Sequence, residues 1–172
     1  MPKLRKMLGR ADDPEIVALM RAIETQSRET LARWALDCAE RRYLPLLPDG
    51  EPAGKTLRET AAAVRSHLNG TLTKKELKPL LTEARKIALS DPAEQAAARA
   101  AATAFGVSQT PTNALGFTFY GAAAAAYREA GTAESQECYD RLAAAELTAL
   151  LRELEAVSVP DEPNPVRPNW SC

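Results

Sequence analysis

The chain has 172 residues and a formal net charge of −1; 45% of its residues are apolar and 26% charged, but only 5% are aromatic. That length allows one domain with a developed core, and an apolar share so rich in alanine favours helices that approach closely. Near-neutral charge excludes any general pull towards nucleic acid or anionic membrane.

Residues 1–11 form a basic leader, with Lys3, Arg5, Lys6 and Arg10 and no acid before residue 12; we expect it to be loose. It lacks the apolar run of a signal peptide. Asp12 and Asp13 before Pro14 make a helix start, a cap followed by proline in the first turn. Ile16, Leu19, Met20 and Ile23 carry that helix to about residue 25. Ser27 caps a second helix whose stripe is Leu31, Trp34, Ala35 and Cys38. Pro45 and the prolines at 48 and 52 end it near residue 44.

A third helix spans about 55–69, with Leu57, Ala61, Val64 and Leu68 inward and Asn69-Gly70 as its stop. Thr73 and Glu76 form a capping box that opens a fourth. Its stripe is Leu77, Leu80, Leu81, Ala84, Ile87 and Ala88. Pro79 predicts a kink there or a displaced start. Asp91 caps a fifth, alanine-rich helix at 92–105.

Residues 100–127 contain no charge. A helix apolar on all sides is one surrounded by others, so 112–130 is read as the central helix, closed by Gly131. A seventh helix runs over about 133–156, with Cys138, Leu142, Ala145, Ala149 and neighbouring leucines inward. From residue 158 four prolines impose an extended tail, and Trp170 either strays with it or docks back on the bundle. The fold class is all-α: six to seven mostly antiparallel helices around a central alanine-rich one. The domain divides into leader 1–11, body 12–157 and tail 158–172.

The catalytic inventory is thin. His67 is the only histidine, which excludes a His-Glu-x-x-His zinc helix and paired Glu-x-x-His di-iron sites. There is no phosphate loop and no Gly-x-Ser-x-Gly elbow. Cys38, Cys138 and Cys172 show no metal spacing, and an odd number suits free thiols in a reducing cytoplasm. Cys38 sits on an inward stripe, Cys138 reads the same way, and Cys172 is terminal and free. We therefore expect no enzyme activity, no metal, no cofactor and no membrane or nucleic-acid partner.

Two features remain. From 129 to 162 nine acids face only Arg141 and Arg152. Glu129, Glu134, Glu137 and Asp140 are the candidate contacts for a basic partner, against the plainer reading of a solvated helix face. On the central helix Asn113, Tyr120 and Tyr127 lie seven apart, preceded by Gln109. They form either a structural polar seam or a ligand slot. Gly116 and Gly121 within that helix imply a close neighbour, expected to be another helix.

Two stretches resemble a known family. Leu31-Ala-Arg-Trp-Ala-Leu-Asp-Cys-Ala-Glu40 is one, and the run from Asp91 into Thr112-Asn-Ala-Leu-Gly-Phe-Thr-Phe-Tyr-Gly-Ala is the other. In this order, with the 77–88 helix between them, they resemble the Imm5-like immunity proteins over about residues 27–130. These are small all-helical bacterial proteins of polymorphic toxin systems. Histidines are frequent in that family around the turn into the central helix; here Gln109 and Asn113 stand there. The resemblance implies a cytoplasmic, non-catalytic binder that neutralises a cognate protein toxin. A helical adaptor or regulatory module with another protein partner is the alternative, and monomer and homodimer both stay open.

Overall fold

The computed structural model describes residues 3–170; Cys172, expected above as a free thiol, lies outside them. Seven α-helices occur among the described residues: α1 (Pro14–Ile23), α2 (Arg28–Cys38), α3 (Pro52–Leu68), α4 (Lys74–Arg85), α5 (Pro92–Phe105), α6 (Asn113–Ala130) and α7 (Gln136–Val157). A π turn, Ala39–Tyr43, and a 3-10 turn, Leu44–Leu46, carry the backbone of α2 onward before the chain turns into α3. The described residues contain no strand, only an isolated bridge between Ser27 and Pro165. The all-α bundle is the one the periodicity predicts.

Local chemistry explains most boundaries. The hydroxyl of Ser27 accepts from Thr30 N at 3.2 Å, and Asp91 accepts from Glu94 N at 2.9 Å. Thr73 and Glu76 exchange both bonds of a capping box, which satisfies two donors that a helix start leaves open. Gly70 and Gly131 adopt positive φ, +84° and +73°, just past α3 and α6. Side chains with a Cβ rarely adopt that conformation.

α6 occupies the centre and packs on α5, α7, α1 and α2. Its pairing with α5 is the most extensive; α5 buries Ala97, Ala100, Ala101 and Ala104, and α6 buries Ala122, Ala123 and Ala126. Small side chains on both partners let the axes close up. Trp34 of α2 meets Phe117 edge-on, with ring centroids 5.0 Å apart. Burying side chains of this size contributes about 1.5–3 kcal/mol each.

Several expectations need correction. α4 starts where its capping box puts it and carries Pro79 inside the helix, so the proline does not displace the start. Only Leu77, Leu81 and Ala84 of its expected stripe are buried; Leu80 is exposed, and Ile87 and Ala88 lie beyond the helix end. On α7 the inward residues are Tyr139, Ala143, Glu146, Leu147, Leu150 and Leu154. The expected set is about one position out of register: Ala145 is exposed, and Cys138, Leu142 and Ala149 are half-buried.

Both chain ends join the body. Leu8 is 1% exposed and its N–H donates to Phe119 O at 3.1 Å, so the leader is pinned rather than loose. The tail is not one extended run, because Asp161 and Asn164 have positive φ. It folds back on the α1–α2 junction. Buried Gln26 bonds both N and O of Val159, and its backbone O accepts from Val166 N at 2.9 Å. Glu162 accepts from Ser27 N and Thr30 Oγ1, each at 2.8 Å, and Trp170 Nε1 donates to Glu24 at 2.6 Å. Of the two readings of Trp170, the structure shows docking.

Candidate functional site

The turn between α6 and α7 is built around Tyr139. Its hydroxyl donates to Gly131 O at 2.8 Å and accepts from Glu134 N at 3.1 Å. Its ring stands perpendicular to Tyr127, with centroids 5.0 Å apart, an edge-to-face geometry that aromatic pairs favour. Ser135 then caps α7 by accepting from Cys138 N at 3.2 Å. These bonds fix the backbone that carries the candidate acids.

Glu129, Glu134, Glu137 and Asp140 are all exposed. None of the four is in an ion pair among the described residues. Asp140 accepts from Gln136 at 2.7 Å. Glu137, in the first turn of α7, is also favoured by the helix dipole. The acid excess of the whole 129–162 stretch is not all available, however. Glu146 and Glu153 turn inward to arginines, and Glu162 is held by the start of α2. The unneutralised charge is concentrated at the α6–α7 turn, where Glu134 looks across a cleft of about 480 Å³ at Lys3 and Arg5.

The four seam residues are not brought into one cavity. Tyr127 is buried and its hydroxyl donates to Arg5 O at 2.6 Å. Burial pushes that phenol up from its ordinary range, and the Tyr139 phenol adds to it. Tyr120 lines a separate cleft of about 170 Å³ between α4 and α5. Gln109 bonds only its neighbour Ser108, at 3.0 Å, and Asn113 packs over Gly106, its Nδ2 2.8 Å from where a Cβ would stand. His67 holds Leu72 O at 2.8 Å across the α3–α4 turn.

Sequence reasoning missed the polar cluster that ties α7 to the π turn. Arg42 clamps the Glu146 carboxylate with two nitrogens, Nε lying 2.9 Å from Oε2. The hydroxyl of Tyr43, 1% exposed, donates to the same oxygen at 2.9 Å. Glu153, two turns further along the same face of α7, takes Arg41 at 3.0 Å and receives Cys38 Sγ at 3.5 Å. The π turn places Arg41, Arg42 and Tyr43 at this spacing, and such insertions recur where a helix must re-aim side chains. A Cβ on Gly121 would stand 2.5 Å from Tyr43 Cζ and closer still to its hydroxyl. The neighbour that this glycine implied is therefore a tyrosine ring. Gly121 was the one sequence signal for the cluster.

Electrostatics makes the cluster a clamp rather than a reactive centre. The Glu146 bond holds the Arg42 guanidinium more firmly charged, against the effect of burial. Burial, then the Glu146 charge, pushes Tyr43 well up. Burial, then Glu153, pushes the Cys38 thiol far up, the opposite of the lowered pKa a nucleophile needs. Among the described residues no group of three or more His, Cys, Asp and Glu is placed to hold a metal ion, and no helix is long and apolar enough to cross a membrane.

A family model described as Imm-5 like putative immunity protein matches residues 21–147. The span runs from within α1 into α7 and takes in the π turn, the α6–α7 turn and Glu146. Neither a search of curated proteins nor one of solved structures gives a match.

Proposed function

The chain belongs to the Imm-5 like putative immunity protein family, and from that premise we propose that it binds a cognate bacterial protein toxin and neutralises it without catalysis, in the cytoplasm. The observation that carries this reading is the α6–α7 turn. It presents four exposed carboxylates, none of them in an ion pair among the described residues, on backbone fixed by Tyr139 and Ser135. A rigid surface loses little freedom on binding. A patch of one sign steers an oppositely charged partner and raises its association rate. The toxin would accordingly offer a basic face, as nucleic-acid-cleaving enzymes do, and occlusion of that face would be the inhibitory act.

The combined change Glu134→Lys, Glu137→Lys and Asp140→Lys tests the surface. All three side chains are exposed, so the fold should tolerate it. Stopped-flow association with an identified toxin should slow by about tenfold or more at low salt, and the gap should narrow as salt screens it. An unchanged association rate at every salt concentration would place the interface elsewhere.

A further inference from the structure

The leader lies along α5 and encloses a second cleft, of about 450 Å³, against the 89–92 turn. Lys3, Arg5, Lys6 and Arg99 line it and no carboxylate does. None of these four cations is in an ion pair among the described residues. Of the nearby acids, Asp91 is spent on capping Glu94 N, and Glu134 faces Lys3 and Arg5 only from the adjoining cleft. Two buried side-chain donors lack a partner among the described residues, Trp34 Nε1 and Arg99 Nε. The first is a neutral indole in the core; the second belongs to a charged group at this cleft. The Nε is shielded from solvent while Arg99 as a residue is half-buried, so it is the outer nitrogens of the guanidinium that are open to this cleft.

The cleft is not left to a floppy segment. Tyr127 holds Arg5 O from below and Leu8 anchors the segment beyond it. Arg99 is also shared with the adjoining cleft that holds Arg85, so the positive field extends along this face. Leu89 and Ala96 supply apolar wall. The volume is in the range of small-molecule sites and larger than a bare phosphate requires. Three cations around the Arg99 fork suit a multiply charged oxyanion better than a single carboxylate.

We propose that this cleft binds a small organic phosphate of about nucleotide size, with the phosphate at Arg99 and the leader cations and the organic body against Leu89 and Ala96. The inference does not rest on the toxin reading, and the two can fail separately. Calorimetric titration of the full chain at low salt, with ADP, adenosine and inorganic phosphate as probes, tests it. ADP should bind saturably with a Kd below about 1 mM, inorganic phosphate more weakly, and adenosine not at all. Arg99→Gln should weaken ADP at least tenfold, and Arg99→Lys should keep part of the affinity. Should Arg99→Gln fail to fold, the exposed pair Arg5→Gln and Lys6→Gln reads the same loss. Absence of saturable ADP binding, inorganic phosphate binding as tightly as ADP, or affinity unchanged in these variants would overturn the proposal. So would an oligoglutamate peptide that bound where ADP did not.

Discussion

Replacing Gly121 by alanine should destabilise the protein, although the same change in an ordinary helix interior stabilises it by up to about 1 kcal/mol. The new methyl would stand 2.5 Å from Tyr43 Cζ, well inside van der Waals contact. Tyr43 has no free space to retreat into, because it is 1% exposed and its hydroxyl is held by Glu146 at 2.9 Å. Overpacking of this kind costs about 1–3 kcal/mol. Losing a hydrogen bond to a carboxylate adds about 1.5–3 kcal/mol. Set against the helix gain, the net loss is about 2–4 kcal/mol, a large part of the roughly 5–15 kcal/mol that holds a domain folded. Urea unfolding followed by circular dichroism would show it as a midpoint lowered by about 1–2 M at unchanged slope. Gly116→Ala is the internal control. Its methyl would meet only Thr103 Cγ2, at 3.5 Å, so its midpoint should stay level or rise. A Gly121→Ala protein as stable as the parent would refute the idea that Tyr43 and Gly121 are packed against each other.

Three further outcomes follow from the same contacts. Glu146→Ala strands the Arg42 guanidinium and the buried Tyr43 hydroxyl; with Arg42 part-exposed and still 3.7 Å from Glu153, the loss should be about 2–3 kcal/mol, and Glu146→Gln, which keeps an acceptor, should lose less in the same urea assay. Desolvation raises the Glu162 carboxyl, but the bonds from Ser27 and Thr30 outweigh it and leave it below its usual 4.5. A depressed folded value means that tail docking is fully supported above that pH and is lost as pH falls below it, so the amide resonance of Val166, whose N–H donates to Gln26 O, should shift on acidification, and Glu162→Gln should remove that dependence. The Cys38 thiol should resist iodoacetamide at pH 8 in the folded protein and react once urea unfolds it; equal rates in the two states, read by peptide mass, would contradict its burial beside Glu153.

Much of the bundle is legible in the sequence because its signals are local. Ser27, the Thr73–Glu76 box and Asp91 each bond a donor within three residues, so spacing alone finds them. The uncharged run likewise declares α6 central, since alanine faces can be covered only by other helices. α7 is harder, because alanine and leucine occur on several of its faces and period alone does not choose among adjacent registers. The deciding residue is Glu146, a carboxylate at an inward position, and it makes sense only beside Arg42, 104 positions earlier. The π turn has no short-range signature either; what it achieves is to bring Tyr43 to both Glu146 and Gly121. The docked tail depends on Gln26 meeting Val159 and Val166, contacts between distant parts of the chain. The acidic surface was half legible. Its members could be counted, but which acids stay free is settled by arginines on another helix.

The central claim is that this protein acts by binding a toxin through the α6–α7 turn. Co-expression with each neighbouring open reading frame, scored for growth, tests it most directly. The account predicts that one neighbour is toxic, that the parent protein restores growth, and that the Glu134→Lys, Glu137→Lys, Asp140→Lys variant, folded and equally abundant, restores it poorly. Toxicity from a neighbour that the parent fails to relieve, or relief that the charge-reversed variant gives in full, would contradict it.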